Sequence, residues 1–351
     1  HAQWLEAYKR EIDYFADRIK GREIRSIFFG GGTPSLMKPQ TVEAIIKKIS
    51  TLGVLTDDTE ITLEANPTSY ELKKFEDFKL AGVNRVSIGV QSLQQDGLTI
   101  LGRQHSAKDA LVAIESAAKI YDKYSFDLIY AIPNQTLEQW QIEVSDALKL
   151  SGGHISLYQL TIEKGTPFYS LHRDGKLQLP SNDLAASMYE WTNDYLSSQN
   201  YGRYEISNYA KQGHECIHNL CYWNYNEYVG IGPGAHGRLH NIDGIEAVMM
   251  THNPKKWLQM VADNGHGIQS HNKLSALEVV EEAFMMGTRL ESGILEDQFY
   301  QLTNHKFAQI LNEKTVAHYI QQGLVTIQSG VLRLNKKGLM LHNYLVARML
   351  K

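Results

Sequence analysis

Three consecutive glycines and a threonine, Gly30-Gly31-Gly32-Thr33, interrupt an apolar run that ends in Ile27-Phe28-Phe29. A backbone without side chains there admits positive φ and lets a ligand lie directly against main-chain N–H and C=O groups. Pro34 then pre-sets φ for a turn or the next helix. A tight strand-to-helix turn would use the same residues, so the run acquires meaning only beside the residues downstream of it. Polar residues recur at the ends of later β-favouring runs: Glu64, Gln91, Asp127 and Gln159, in series with Thr33. In (β/α) barrels, ligands bind where strand ends converge, and side chains from several strands meet there. Strand ends also turn polar simply because they reach solvent. That explanation covers one or two such residues but fits poorly an Asp127 set before the apolar Leu128-Ile129-Tyr130-Ala131-Ile132.

The elements that must position these groups alternate. Strand patterns over 24–29, 60–65, 85–91, 126–132 and 154–160 are separated by helical periodicity over 39–52, 70–81, 107–121 and 137–150. Units of this kind predict a parallel sheet, either doubly wound or closed toward a barrel. Gly165-Thr166-Pro167 ends the repeats, and residues 180–199 read as a helix capped by Ser181. Residues 201–240 are rich in Gly, Tyr, Asn and His with little helical period. Near the end, 323–327 and 331–334 form a hairpin pattern before a helix over 338–349, as in winged-helix domains.

Composition narrows the classes. The chain has 351 residues, enough for a large α/β unit and a smaller domain. A net charge of −4 with no extended Lys/Arg block argues against nucleic acid. No apolar run is long enough to span a bilayer, membrane association is not indicated, and no signal peptide is visible. Two cysteines, Cys216 and Cys221, give no disulfide framework, which predicts a reducing, cytoplasmic setting. Trp4, Leu5, Tyr8, Ile12, Phe15 and Ile19 form a helical stripe that starts at once, so the chain reads as beginning inside a helix with sequence upstream.

Gly30-Gly31-Gly32-Thr33-Pro34, Leu63-Glu64-Ala65-Asn66-Pro67, Gly89-Val90-Gln91-Ser92, Leu101-Gly102-Arg103-Gln104-His105 and Asp127 through Thr136 occur in that order. Each alone is a weak motif. Together they resemble the radical S-adenosylmethionine family related to oxygen-independent coproporphyrinogen III oxidase, from about residue 24 to the C-terminus. The resemblance implies a partial (β/α) TIM-like barrel lacking its first strand over 1–165. It further implies barrel completion and a porphyrin-facing segment over 166–270, and a smaller C-terminal α+β domain with a winged-helix-like end over 271–351. It implies S-adenosylmethionine contacts from Gly31, Gly32, Thr33, Glu64, Gln91, Arg103, Asp127 and Gln159. The glycines and Thr33 would meet the methionine amino and carboxylate groups, Arg103 suits a carboxylate, and Glu64 and Asp127 accept from ribose hydroxyls or the ammonium. A solvated arginine at a helix start is the rival reading of Arg103. The family's [4Fe–4S] cluster is held by a Cys-x3-Cys-x2-Cys loop, expected upstream of His1; Cys216 and Cys221 have the wrong number, spacing and region to replace it. No metal is therefore expected on this chain.

A second segment runs from Tyr204 to Gly237 and contains His218-Asn219-Leu220-Cys221-Tyr222-Trp223 and Gly230-Ile231-Gly232-Pro233-Gly234-Ala235-His236-Gly237. It looks like the branch of the family known as HemW, understood to carry haem. That likeness implies haem as cargo, with His218 as an axial ligand, Asn219 beside it, and Tyr222 and Trp223 offering flat apolar faces. His218 and Asn219 pinning a loop is a near-equal alternative. His236 is a further S-adenosylmethionine candidate at the end of a glycine-rich loop. His214, Cys216, His218 and Cys221 are also zinc-ligand types, but their compressed spacing is not a usual zinc pattern. The expected function is haem binding and delivery to an accepting protein. The rival is an oxygen-independent coproporphyrinogen III oxidase, and a weaker third option is a relative that has lost its cluster.

Overall fold

A computed structural model describes residues 2–351. The strands that alternation predicts are β1 (Ser26–Phe29), β2 (Glu60–Ala65), β3 (Arg85–Gln91), β4 (Lys123–Tyr130) and β5 (His154–Gln159), joined by β6 (Gly202–Glu205) and β7 (Asn208–Ala210). They form one sheet in the order β1-β2-β3-β4-β5-β7-β6. Strands β2 to β5 run parallel, and β7 and β6 add antiparallel. Sequential order without reversal rules out double winding, and the two free edges make this a partial (β/α) barrel.

The described chain divides into two compact units, one of residues up to Ile27 with Lys38–Glu60 and Ile217–Lys351, the other of Phe28–Met37 and Ile61–Cys216. In the second unit, strand alternation sorts the side chains by face. Leu63, Ile88, Phe126, Leu128, Ile155 and Leu157 are buried, and Tyr130, on the same face, stacks on Trp140 of the helix Leu137–Leu150 at 5.1 Å. Each such side chain contributes roughly 1.5–3 kcal/mol on burial. The opposite face carries Thr62, Glu64, Arg85, Ser87, Ser125, Asp127, His154 and Ser156. Parallel sheets are ordinarily apolar on both faces, so a polar file across four parallel strands marks a face built for something other than a core. The helices behind the sheet start where expected: Ser106 with Asp109 and Thr136 with Gln139 form capping boxes.

The first unit holds an antiparallel sheet β10-β9-β8, from β8 (His236–Asn241), β9 (Gly244–Met250) and β10 (Ile268–Lys273). It ends in the expected winged-helix-like arrangement: β11 (Ile294–Leu295), β12 (Val325–Gln328) and β13 (Val331–Leu334), with helices Ala276–Gly287, Glu296–Thr303 and Glu313–Gln321.

Four local expectations are corrected. The helix over 70–81 is two short helices, Ser69–Leu72 and Phe75–Leu80, and the side chains of Glu71 and Lys74 beside the break bond to residues 35–37. The strand over 126–132 starts earlier and stops at Tyr130, where Ala131 turns to φ 57°. The helix over 338–349 breaks at Leu341 into Lys336–Met340 and His342–Met349. Residues 201–240, without helical period, contain the helix Ile217–Trp223. Among the described residues no helix is long and apolar enough to cross a membrane.

Candidate functional site

The loop after β1 is shaped by its glycines. Gly31 and Gly32 sit at φ +80° and +63°, where any side chain is strained, and nothing lies within 4 Å of where their Cβ atoms would be. The result is an open stretch of bare backbone. The Gly31 N–H donates to Glu64 Oε2 at 3.0 Å, which ties the loop to the end of β2. Burial pushes the Glu64 carboxyl above the usual range, with the Gly31 bond partly offsetting it. The Asn66 amide donates to Thr33 Oγ1 at 3.4 Å.

Asp127 lies on the same face of the sheet, two strands from Glu64. Burial pushes its carboxyl up to about 6; a hydrogen bond from Ser156 opposes the shift, the charge of Glu64 adds to it, and Arg85 and Arg103 draw it back. The two carboxylates and the two arginines therefore share one electrostatic environment. Arg85 is buried and donates to Ser125 Oγ at 2.8 Å, and Ser125 Oγ donates to Ser87 Oγ at 3.1 Å. Arg103 is exposed in the turn after the helix Gln95–Ile100. Gln91 ends β3 at φ 72°, an uncommon conformation for a non-glycine residue, at an irregularity in the register between β3 and β4. Bulges and positive φ collect at functional sites, where they re-aim a side chain. Gln159 is exposed at the end of β5, in register with Tyr130. Its side chain makes no described contact with Glu64 or Asp127.

Buried carboxylates that the sequence did not single out hold these loops. Glu71 is 3% exposed; it accepts the Asn66 N–H at 2.7 Å and the Ser35 hydroxyl, while Lys74 donates to the Ser35 and Met37 carbonyls at 3.0 and 3.4 Å. These contacts tie the segment after the glycines and the loop after β2 to one helix end. Glu143 does the same for the loop after β3, accepting from Ser92 Oγ at 2.6 Å and the Leu93 N–H at 2.7 Å. The only local signal for Glu71 was the Thr68-x-x-Glu71 capping pattern; for Glu143 there was none.

The His218 segment belongs to the other unit. Helix Ile217–Trp223 is anchored at its start by Glu60, whose two carboxylate oxygens accept the Ile217 and His218 N–H groups at 3.2 Å each. A carboxylate there also interacts favourably with the positive end of the helix dipole. His218 Nδ1 lies 3.3 Å from Ser26 Oγ, and its ring meets Tyr222 edge-on at 4.7 Å. Every residue of the helix, Asn219 included, is half-buried. Trp223 has one face covered by the Arg289 guanidinium at 4.4 Å, and its buried indole N–H has no hydrogen-bond partner.

His236 is exposed at the start of β8, with its ring 6.2 Å from His252. The glycine loop before it has a structural reason for its composition: a Cβ on Gly230 would sit 2.0 Å from the His236 carbonyl, and Gly232 at φ +102° gives its N–H to buried Glu11. Among the described residues no group of three or more His, Cys, Asp or Glu could hold a metal ion.

Residues 5–144 match the radical SAM superfamily and residues 274–341 the HemN C-terminal domain. The chain is 35% identical to the heme chaperone HemW of Buchnera aphidicola (Schizaphis graminum strain) over 98% of its own length and 89% of that protein's. The chain belongs to the HemW branch of the radical SAM family. The Danio rerio protein named radical S-adenosyl methionine domain-containing protein 1, mitochondrial, is 39% identical over 84% of the chain and 67% of its own length. Coproporphyrinogen III oxidase (HemN) from Escherichia coli shares the fold, with a TM-score of 0.80 at 19% identity over 99% of this chain and 82% of that one.

Radical SAM proteins carry S-adenosylmethionine and a [4Fe–4S] cluster, which together generate a radical. The residues present in this HemW-branch chain fit the first: a glycine cradle open to a ligand, two partly desolvated carboxylates and an arginine are the partners that an amino acid joined to a ribose requires. They do not fit the second, since the two cysteines, Cys216 buried and Cys221 half-buried, cannot supply three thiolates.

Proposed function

We propose that this chain binds S-adenosylmethionine at the polar face of its partial barrel and binds and delivers haem, as a haem chaperone of the HemW type. Gly31, Gly32 and Thr33 hold the methionine end, Glu64 and Asp127 accept from hydroxyl or ammonium groups, Arg103 takes the carboxylate, and Gln91 completes the set; Gln159 at the end of β5 and His236 at the end of its glycine-rich loop are separate S-adenosylmethionine candidates. Haem is the cargo of the helix Ile217–Trp223, with His218 as ligand and Asn219, Tyr222 and Trp223 beside it. The observation that carries the reading is that helix: it presents an imidazole and two large rings while remaining half-buried along its whole length, and relatives of like sequence over nearly the whole chain bear the name heme chaperone HemW. The division of labour is a barrel over 1–165, a porphyrin-facing segment over 166–270 and an interaction module over 271–351. The two cysteines, both free of disulfides, accord with a cytoplasmic location.

Two measurements test this. Titration with haem is expected to shift the Soret band, and His218→Ala is expected to weaken binding about tenfold or more, an axial ligand contributing upward of about 1.4 kcal/mol; an identical shift in the variant removes His218 as ligand. The chain extended by the family's Cys-x3-Cys-x2-Cys loop and reconstituted with a [4Fe–4S] cluster, given a reductant, S-adenosylmethionine and coproporphyrinogen III, is expected to form no protoporphyrinogen IX. Clear turnover would establish the oxidase reading instead.

A further inference from the structure

The C-terminal part of the chain differs in charge from the rest. Residues 301–351 contain one acidic side chain, Glu313, among many lysines and arginines, in a chain whose net charge is −4. Within this basic stretch, a groove of about 590 Å³ runs between the helices Glu313–Gln321 and His342–Met349. One wall is a face of the first helix, Lys314, His318 and Gln322; the other is the stripe Leu341, Tyr344, Leu345 and Arg348, spaced i, i+3, i+4 and i+7. Tyr319 and Leu345 are buried beneath it, and Leu341 and Tyr344 supply its exposed apolar surface.

The upper half of that stripe has no cover within the described chain. Leu341 is 46% and Tyr344 54% exposed. Arg348 lies 3.9 Å over the Tyr344 ring and donates to the Tyr344 carbonyl at 3.1 Å, so this aromatic is held in place rather than left loose. A preset aromatic and an arginine at the rim of an apolar floor are the residue types that dominate binding energy at protein interfaces. No acidic side chain lines the groove. Its cations are Lys314 and Arg348, and its other polar positions are His318, Thr315, Gln322 and the two tyrosine hydroxyls.

We propose that this groove is a docking site for a partner protein, and that the docked segment is an acidic amphipathic helix. Its apolar stripe would lie on Leu341 and Tyr344, above the buried Tyr319 and Leu345, with Asp or Glu side chains reaching Lys314 and Arg348. A third helix laid between two others is the ridge-and-groove geometry that such a channel offers. Nucleic acid fits less well: it selects a broad basic stripe tracking a backbone, whereas here the cations flank a narrow apolar floor. The site is independent of the haem reading, and it gives the winged-helix-like end a role that does not require nucleic acid.

The test uses the whole chain and fluorescence anisotropy with four probes. These are a helical peptide of about 18 residues with Leu and Phe at i, i+3, i+4 and i+7 flanked by Glu, a shuffled peptide of the same composition, a DNA duplex, and vesicles rich in phosphatidylserine. The ordered peptide is expected to bind, with the shuffled peptide at least about tenfold weaker because its charge is unaltered but its stripe is lost. Tyr344→Ala and Arg348→Glu, both at exposed positions so that the fold survives, are each expected to weaken the ordered peptide about tenfold, and hydrogen exchange should slow in 313–321 and 342–349 on binding. Equal binding of the two peptides, tighter binding of DNA or vesicles, or unchanged affinity in both variants overturns the proposal.

Discussion

At pH 7, Asp127→Asn is expected to make the protein more stable by about 1–2 kcal/mol and to weaken S-adenosylmethionine about tenfold to a hundredfold. The two effects have one cause. Asp127 is pushed up to about 6 because the folded chain desolvates it and places Glu64 nearby, with Arg85 and Arg103 compensating only in part. A carboxylate whose folded pKa exceeds its unfolded value contributes stability that is fully present below the unfolded value, near 3.9, and is lost as pH rises through about 6. Each pH unit between the two values is worth about 1.4 kcal/mol at neutral pH. A weaker hydrogen bond to Ser156 in the variant returns about 1 kcal/mol of that. The same negative charge is what a ribose hydroxyl or an ammonium would bind, and hydrogen bonds to charged groups contribute about 1.5–3 kcal/mol. Urea melts at pH 7 and about pH 3.5, with calorimetric titration of S-adenosylmethionine, separate the two effects. The stability gain should vanish at the lower pH, where the carboxyl is protonated in both states. A variant that is destabilised at pH 7 and binds normally would show that Asp127 is only a structural partner of Ser156.

The range of the forces involved decides how much of this molecule is legible in its sequence. Strands β2 and β3 and the helix Leu137–Leu150 lie where the sequence places them, because alternation, a 3.6-residue period and a capping box are all local. Gln91 ends β3 and Glu64 lies one residue before the end of β2, as their local runs imply, whereas Asp127 lies inside β4, which continues to Tyr130. The helix Ile217–Trp223 was not legible, because its start is fixed by Glu60, some 157 residues earlier in the chain. The contacts of Glu71 and Lys74 with Ser35 are equally non-local, joining residues 36 and 39 apart in sequence. A buried carboxylate on an amphipathic helix is the hardest residue to read, since in one dimension it looks like part of the solvated face.

Glu11 is the extreme case, and its loss is expected to be the most damaging single change in the molecule. It sits in a helix with Glu6, Lys9, Arg10 and Asp13, yet it is 0% exposed. Its Oε1 accepts the Gly267 N–H at 2.7 Å and the Trp257 indole N–H at 3.0 Å, and its Oε2 accepts the Gly232 N–H at 2.7 Å. No cation accompanies it in these contacts; desolvation raises its pKa, and the three N–H donors oppose that rise. Trp257 is itself fully buried and stacks on Trp4 at 5.6 Å, so the carboxylate joins the first helix, the glycine-rich loop and the helix Pro254–Asn264 within one unit. Glu11→Ala strands three buried donors, each costing about 1–3 kcal/mol when unpaired, and opens a cavity. Water entering that cavity would recover part of the loss, leaving about 3–5 kcal/mol by urea unfolding. Glu11→Gln keeps one oxygen but turns an NH2 toward a donor, and should fall between the two. Asp13→Ala, on the same helix but exposed and paired only with Lys48, should cost under about 1 kcal/mol. If Glu11→Ala and Asp13→Ala unfold at the same urea concentration, the three N–H groups do not depend on Glu11. Otherwise the glycines of residues 230–234 are held by a charge 221 residues away from Gly232 in sequence, and their spacing records that anchor as much as any ligand.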